Sequence, residues 1–391
     1  MTILLILLVA LLSGFSVQSN SQTALSEIKL VCPEEASITS IVGDNRLFFT
    51  MPSRDQNSSL QLWYSDATGN HQTPVDLVLE DSLLLRPDGQ HILVMHKADS
   101  ANFGWNRTYQ FRGAHFTELR LISTTDFSEQ KVVPPQEFRE TPFVVTRIQW
   151  IDNNRLILLS DEEHHRIAIY DFLKNRAEFF EWQLNDLFLP YPSGNMLVSL
   201  DIEYLLYTVA QPVIVPPDQD PMSKLAWRIV TLKGEHVLDY VRGIGDTAIW
   251  LPDSSGILLR DIDDSIVLVN VDGRQQLILD KPAGVLSYGL FNSSGSRVAY
   301  HWSTREHPFS LAVLDLQSGD LLDYCQSAIN LEIVSWSADD RLVAFKVLKP
   351  KMTEIYALDI INNKIGTITP YQPMNDAVGA DFVRVVGWVR A

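Results

Sequence analysis

Cysteine is scarce: the chain has 2, Cys32 near its start and Cys325 far along. So few thiols exclude a disulfide-dense scaffold and a thiolate zinc cluster. They leave two alternatives open, a single disulfide tying the N-terminal part down or two unpaired buried thiols. Basic residues are also in deficit, with Lys+Arg 31 against Asp+Glu 48 and a formal net charge of −17. Nucleic acid and anionic membranes both demand a basic footprint, so neither is expected as a partner. No apolar run reaches the roughly 20 residues of a membrane span. No Gly-x-Ser-x-Gly elbow, no phosphate-cradling Gly-rich loop ending in Lys-Ser/Thr and no His-Glu-x-x-His helix occurs. The stretch nearest to such an elbow, Gly284–Val285–Leu286–Ser287–Tyr288–Gly289, has the wrong spacing. Helical periodicity is almost missing as well.

What is there is ample apolar material. Hydrophobic residues make up 46% and aromatics 10%, enough for a real core. Ile3 to Phe15 is almost wholly apolar and is followed by Ser16, Ser19, Asn20 and Ser21. Residues 1–21 therefore read as a secretory signal peptide cut near Asn20, although no Lys or Arg precedes the apolar run. Residues 22–391 are expected to form one domain, secreted or periplasmic/extracellular and acting as a monomer.

That domain repeats. IVGDNRLFFT (41–50), LLRPDGQHILVM (84–95), QWIDNNRLILLS (149–160), VSLDIEYLLYT (198–208), IWLPDSSGILLR (249–260), LFNSSGSRVAYH (290–301) and SWSADDRLVAF (335–345) share one pattern. An apolar strand ends, a turn rich in Asp, Asn, Ser and Gly follows, and a strongly apolar strand succeeds it. Equivalent apolar positions fall at Leu47, Ile92, Leu156, Leu205, Ile257, Val298 and Val343, 41 to 64 residues apart. A four-stranded propeller blade needs about 40–45 residues. A third strand follows each pair (60–64, 118–123, 166–172, 227–232, 265–271, 311–316, 354–360), and a more polar fourth closes the unit. The expected fold is all-β, a β-propeller of four-stranded blades, seven in number with six or eight as alternatives. Trp388 matches Trp150, Trp250 and Trp336 at the end of a first strand. The C-terminal strand is thus expected to complete the N-terminal unit, with Ile38–Ile41 as the competing candidate.

Arg86–Pro87–Asp88–Gly89–Gln90–His91–Ile92–Leu93 and Ser337–Ala338–Asp339–Asp340–Arg341–Leu342–Val343–Ala344–Phe345 resemble the SPDG…I-A-F motif of TolB-like, WD-repeat-like β-propellers. The resemblance covers nearly the whole chain after residue 21 and implies an envelope or extracellular partner-binding role. No separate N-terminal domain of the TolB kind stands before the repeats, so TolB's own role is not carried over. The same motif occurs in propellers of dipeptidyl-peptidase-type hydrolases, whose catalytic elbow this sequence lacks.

Individuality sits in the connections between second and third strands. Two are long, Lys97–Thr117 and Pro212–Leu225. The first offers Trp105 and Tyr109, with Phe103 and Phe111, as aromatic anchors for a partner or sugar, or as packing for the loop itself. The others hold Glu162, Glu163 and His164; Asp263 and Asp264; Arg305, Glu306 and His307; and Lys349. Such a rim suits a peptide or cationic partner, or a divalent metal; solvated hairpin tips account for the same residues without any ligand. No cofactor is expected: Asp261-x-Asp263–Asp264 lacks the Gly and distal Glu of a calcium loop. Asn57, Asn106 and Asn292 head glycosylation sequons in turns read as surface. The functional expectation is a non-enzymatic scaffold binding a protein or peptide. The alternative is a lyase, lactonase or glycan-active hydrolase using metal or carboxylates at the central channel.

Overall fold

The structure, a computed structural model, describes residues 28–52, 59–78, 81–97, 116–133, 138, 147–160, 166–181, 197–210, 225–240, 248–261, 264–280, 282, 284–303, 310–327, 331–349, 352–371 and 383–390. The segment read as a signal peptide lies outside them.

The chain enters through β1 (Ile28–Leu30), β2 (Glu34–Glu35) and a short helix α1 (Ile38–Val42). Blade 1 receives β3 (Asn45–Pro52), β4 (Ser59–Asp66) and β5 (Gly69–Val78). Blade 2 is β6 (Ser82–Leu85), β7 (His91–Lys97), β8 (Phe116–Ser123) and β9 (Glu129–Val132). Blade 3 is β10 (Arg147–Trp150), β11 (Arg155–Ser160), β12 (Arg166–Asp171) and β13 (Arg176–Glu181). Blade 4 is β14 (Leu197–Val198), β15 (Tyr204–Ala210), β16 (Leu225–Thr231) and β17 (His236–Tyr240). Blade 5 is β18 (Ile249–Trp250), β19 (Gly256–Arg260), β20 (Ile266–Asn270) and β21 (Gln275–Leu279). Blade 6 is β22 (Val285–Phe291), β23 (Arg297–Ser303), β24 (Ser310–Asp315) and β25 (Leu321–Ser327). Blade 7 is β26 (Leu331–Trp336), β27 (Leu342–Lys349), β28 (Met352–Asp359) and β29 (Lys364–Tyr371). The last strand, β30 (Arg384–Arg390), pairs with β3 and becomes the innermost strand of blade 1. The fold is a seven-bladed β-propeller of four-stranded blades, closed by that pairing.

The repeat is legible at single-residue register. Trp388, Leu85, Trp150, Val198, Trp250, Phe291 and Trp336 stand opposite Leu47, Ile92, Leu156, Leu205, Ile257, Val298 and Val343. Those seven aliphatic residues are all at or below 1% exposure, so the position is a buried one in every blade. Second strands are sandwiched between two blades, and their alternate residues serve opposite interfaces. Leu342 and Ala344 join the core shared with blade 1, whereas Val343 and Phe345 join the one shared with blade 6. That is why these strands read as unbroken apolar runs rather than alternating ones. The core is accordingly divided into seven clusters, one for each pair of neighbouring blades, the 7–1 junction included.

Inner hairpin turns take positive φ at Gly89, Ile202, Ser254, Gly295 and Asp340. Glycine fills only two of these positions, and in blade 5 the residue is Ser254 rather than Gly256. Gly256 is required for another reason: a Cβ there would lie 2.6 Å from the Val269 carbonyl oxygen.

Ile38–Ile41 does not close the ring. It forms α1, which starts after Ser37, stops at Gly43 (φ 59) and buries Ile41 and Val42 in the 7–1 core. Asn292 differs from the surface turn expected of a sequon. It is 1% exposed; its Nδ2 donates to Ser294 and Ser296, and its Oδ1 accepts from the Arg297 N–H. Asn57 and Asn106, which head the other two sequons, lie outside the described residues.

The N-terminal arm runs across the outside of two blades. β1 lies parallel to β25, and β2 parallel to β29. Between them Cys32 is disulfide-bonded to Cys325 of β25, with Cα atoms 5.1 Å apart. No described helix is long and apolar enough to cross a membrane, which does not bear on β-barrels.

Candidate functional site

In a four-stranded antiparallel meander, first-to-second and third-to-fourth turns share one face. Second-to-third and fourth-to-first connections share the other. The two faces of this ring differ. On the first, the turns are short and saturated by their own side chains. Asp88 accepts from the Gln90 N–H and two Arg86 nitrogens. Burial works to raise its carboxyl, but these donors outweigh it and hold the group below the usual range. Asp253 is lowered by the Ser255 hydroxyl and then by the Ser255 N–H.

The turns also stitch neighbouring blades. The Asp88 N–H donates to Asn153, the Asp201 N–H to Ser254, and Ser293 to Asp340. Just inside this face, the Trp250 indole donates to the Leu197 carbonyl and Trp336 to that of Leu290, each in the preceding blade. Trp150 and Trp388, at the same register, find no acceptor for their indole N–H among the described residues.

The opposite face is the rim where the second strands end, at Pro52, Lys97, Ser160, Ala210, Arg260, Ser303 and Lys349. The candidate residues named from the sequence belong to connections that leave from here. Trp105, Tyr109, Glu162, Glu163, His164, Asp263, Arg305, Glu306 and His307 lie outside the described residues. Asp264 is described, at φ 69, with its N–H donating to the Asp261 carbonyl and its carboxylate 3.7 Å from Arg260 Nε. Lys349 pairs with Met352 at the end of the β27–β28 ladder, so in blade 7 only residues 350–351 intervene. Blade 7 therefore carries a tight hairpin rather than an expanded loop.

The rim also holds polar groups that the sequence reading passed over. Three residues beyond each key aliphatic position come Thr50, Met95, Leu159, Thr208, Arg260, His301 and Lys346. In three successive blades this position reaches the next blade at, or one residue before, its first strand. Arg260 donates to the Leu286 carbonyl (3.4 Å), and the Ile333 N–H donates to His301 Nε2 (3.3 Å). Lys346 donates to the Val383 carbonyl (3.4 Å) and pairs with Glu332 at 2.7 Å. Burial holds His301 down to about 4, so its ring is neutral and its Nε2 accepts from Ile333.

The chain of contacts continues into blades 1 and 2. Arg384 donates to the Asp81 carbonyl, while the Asp81 carboxylate, 1% exposed, takes His96 and Arg120. The signal that could have found these residues is a polar side chain interrupting an apolar second strand at a fixed offset, as in VAYHWS and VAFKVL. Their observed partners make them links between blades. Among the described residues no group of three or more His, Cys, Asp or Glu is placed to hold a metal ion.

Comparison with known proteins yields the fold. No protein-family model matches the chain, and no curated protein sequence matches it. Among solved structures, the β-propeller domain of the Trilobed protease from Pyrococcus furiosus aligns at TM-score 0.53 and 11% identity, over 89% of this chain and 100% of that one. Pyrococcus horikoshii acylaminoacyl peptidase aligns at TM-score 0.54 and 13% identity over 87% of this chain, which spans 52% of the peptidase. TolB from Acinetobacter baumannii gives a weaker likeness, TM-score 0.47 at 12% identity, over 87% of this chain and 81% of that one. At such identities the shared property is architecture, and the propeller read from the repeated hairpins is that architecture.

Proposed function

We propose that this chain is a non-enzymatic binding scaffold that engages a protein or peptide partner through the rim where second strands end and third strands begin. One observation carries this reading, the asymmetry between the two faces. On one, turns are short and their carboxylates are consumed by local N–H and hydroxyl donors. On the other, residues 98–115 and 211–224 lengthen the connections of blades 2 and 4 beyond what a hairpin needs. Long connections on a regular scaffold are where such folds place recognition. The polar strand residues of the same rim, Arg260, His301 and Lys346, serve ring cohesion, which leaves Trp105, Tyr109 and their neighbours as the source of specificity. Residues 1–21 and the disulfide favour action outside the reducing cytosol.

The test is affinity capture from secreted or envelope extract with the full chain and with a variant in which residues 98–115 are replaced by a two-residue turn. Loss of a saturable partner in the variant, with the thermal transition unchanged, supports the reading. An unchanged partner set removes this loop from recognition. A turnover assay with lactone, uronate and glycan substrates, with and without added divalent metal, decides for the enzyme alternative if activity follows the chain through purification.

A further inference from the structure

The arm formed by residues 28–36 is held only lightly by packing. Its two ladders hold three and two residue pairs, and most of its side chains face solvent, Leu30 at 66% exposure. Backbone donation is sparse beyond those ladders: Val31 N–H to Asp323, Glu34 N–H to Asn363 and Ala36 N–H to Ile365. Lys29 adds an ion pair to Asp320 with both partners exposed. Ile28 and Val31 are only partly buried against the cores of the 5–6 and 6–7 interfaces. A few residues further on the situation reverses, because Ile41 and Val42 of α1 are sealed in the 7–1 core. The chain thus changes from loosely laid to firmly anchored across Ser37.

What fixes the loose portion is the Cys32–Cys325 bond. Cys32 is exposed and Cys325 half-buried, so an incoming thiolate has access to the bond. We propose that the arm is a redox-released strap. Oxidised, it covers the outer edges of β25 and β29; on reduction it lifts away up to Ser37 and leaves those two edges unpaired. The reductant is a dithiol of the thiol–disulfide exchange class. Its thiolate attacks one sulfur, the other leaves as thiolate, and the second thiol of the reagent resolves the mixed disulfide. Two electrons and two protons pass to Cys32 and Cys325, and the reagent ends as a disulfide. The ring does not open, because its closure rests on β30 pairing with β3 and on the 7–1 core, which the arm touches only through Ala36 at its end. The freed edges present unpaired N–H and C=O groups of the kind that accept an added strand.

The full-length protein provides a clean test, since 2 cysteines mean that a reductant has one bond to act on. Amide hydrogen exchange is followed by mass spectrometry with and without a dithiol, on the wild type and on Cys32→Ser/Cys325→Ser. Reduction is expected to accelerate exchange in residues 28–36 at least about tenfold, as for a segment that opens locally without global unfolding. Amides of β25 and β29 that face the arm should accelerate with it, and the β3–β30 ladder should not. The double variant should match the reduced protein and ignore the dithiol. Unchanged protection of residues 28–36 on reduction overturns the strap. So does acceleration spread evenly over all seven blades, which is global destabilisation. Should the double variant fail to fold, reduction of the folded wild type alone still decides between these outcomes.

Discussion

Arg341 ties blade 7 to α1, and replacing it with alanine should cost more than any exposed ion pair. Its guanidinium pairs with Asp359, whose side chain is 2% exposed, and donates to the Ile41 and Val42 carbonyls at the end of α1. It therefore joins blade 7 to the segment that leads into blade 1. Removing one partner of a buried pair costs ~3–5 kcal/mol. Arg341 itself is 22% exposed, and Asp359 keeps the Ile361 N–H, the Asn362 N–H and Asn362 Nδ2 as donors. The expected loss for Arg341→Ala is accordingly ~2–3 kcal/mol, of which about 1 kcal/mol comes from the two orphaned carbonyls. The control is Arg274→Ala, where residue and partner are 79% and 50% exposed and the expected loss is below about 0.5 kcal/mol. Urea unfolding followed by tryptophan fluorescence supplies both values. A cycle with Asp359→Asn should return a coupling of ~1–2 kcal/mol. A loss for Arg341→Ala no larger than the control, or strict additivity in the cycle, refutes the role given to this residue.

Stability should also depend on pH through His301. Its folded value sits near 4 against an ordinary 6.5, lowered by burial, so the unfolded chain binds the extra proton between those values. Stability from this group is complete above pH ~6.5 and falls as pH drops toward 4, by up to about 3 kcal/mol; His301→Gln should flatten that part of the profile. Protonation would also set an N–H of the ring against the Ile333 N–H it now accepts from. Trp336→Phe should cost ~1 kcal/mol more than Trp150→Phe in equilibrium unfolding, because Trp336 donates its indole N–H across a blade boundary and Trp150 does not. Peptide mapping of folded protein from a glycosylating host should find Asn292 unmodified, since its Nδ2 is buried and engaged by Ser294 and Ser296.

The propeller was readable because one physical demand repeats seven times. A second strand buried on both sides must be apolar throughout, and a tight turn must precede it. Leu47 through Val343 announce the first demand, and the Asp, Asn, Ser and Gly clusters announce the second. Trp388 announced the closing strand because it stands opposite Leu47 as Trp336 stands opposite Val343. The N-terminal arm gave no such signal. Ile28–Leu30 and Glu34–Glu35 are too short to display a period, and parallel addition to a distant strand leaves no turn to mark it. Ile38–Ile41, the competing candidate for the closing strand, lies instead in a short helix bounded by Ser37 and Gly43. Asn292 shows the limit of reading a turn by composition. The same Asn that invites a sequon also caps its hairpin from the inside. The rim chemistry was legible only as residue types on connections. The links through Arg260, His301 and Lys346 emerge only when blades are set side by side.

The proposal that one rim carries recognition is tested most directly by site-specific photo-crosslinking in the extract used for capture. A photoreactive amino acid is placed at Lys97 or Ser303, where second strands end, and at Asp126 or Asp272 on exposed turns of the opposite face. Discrete adducts from Lys97 and Ser303, and none from Asp126 and Asp272, are the predicted result. Adducts from the Asp126 and Asp272 positions in place of the rim ones would contradict it.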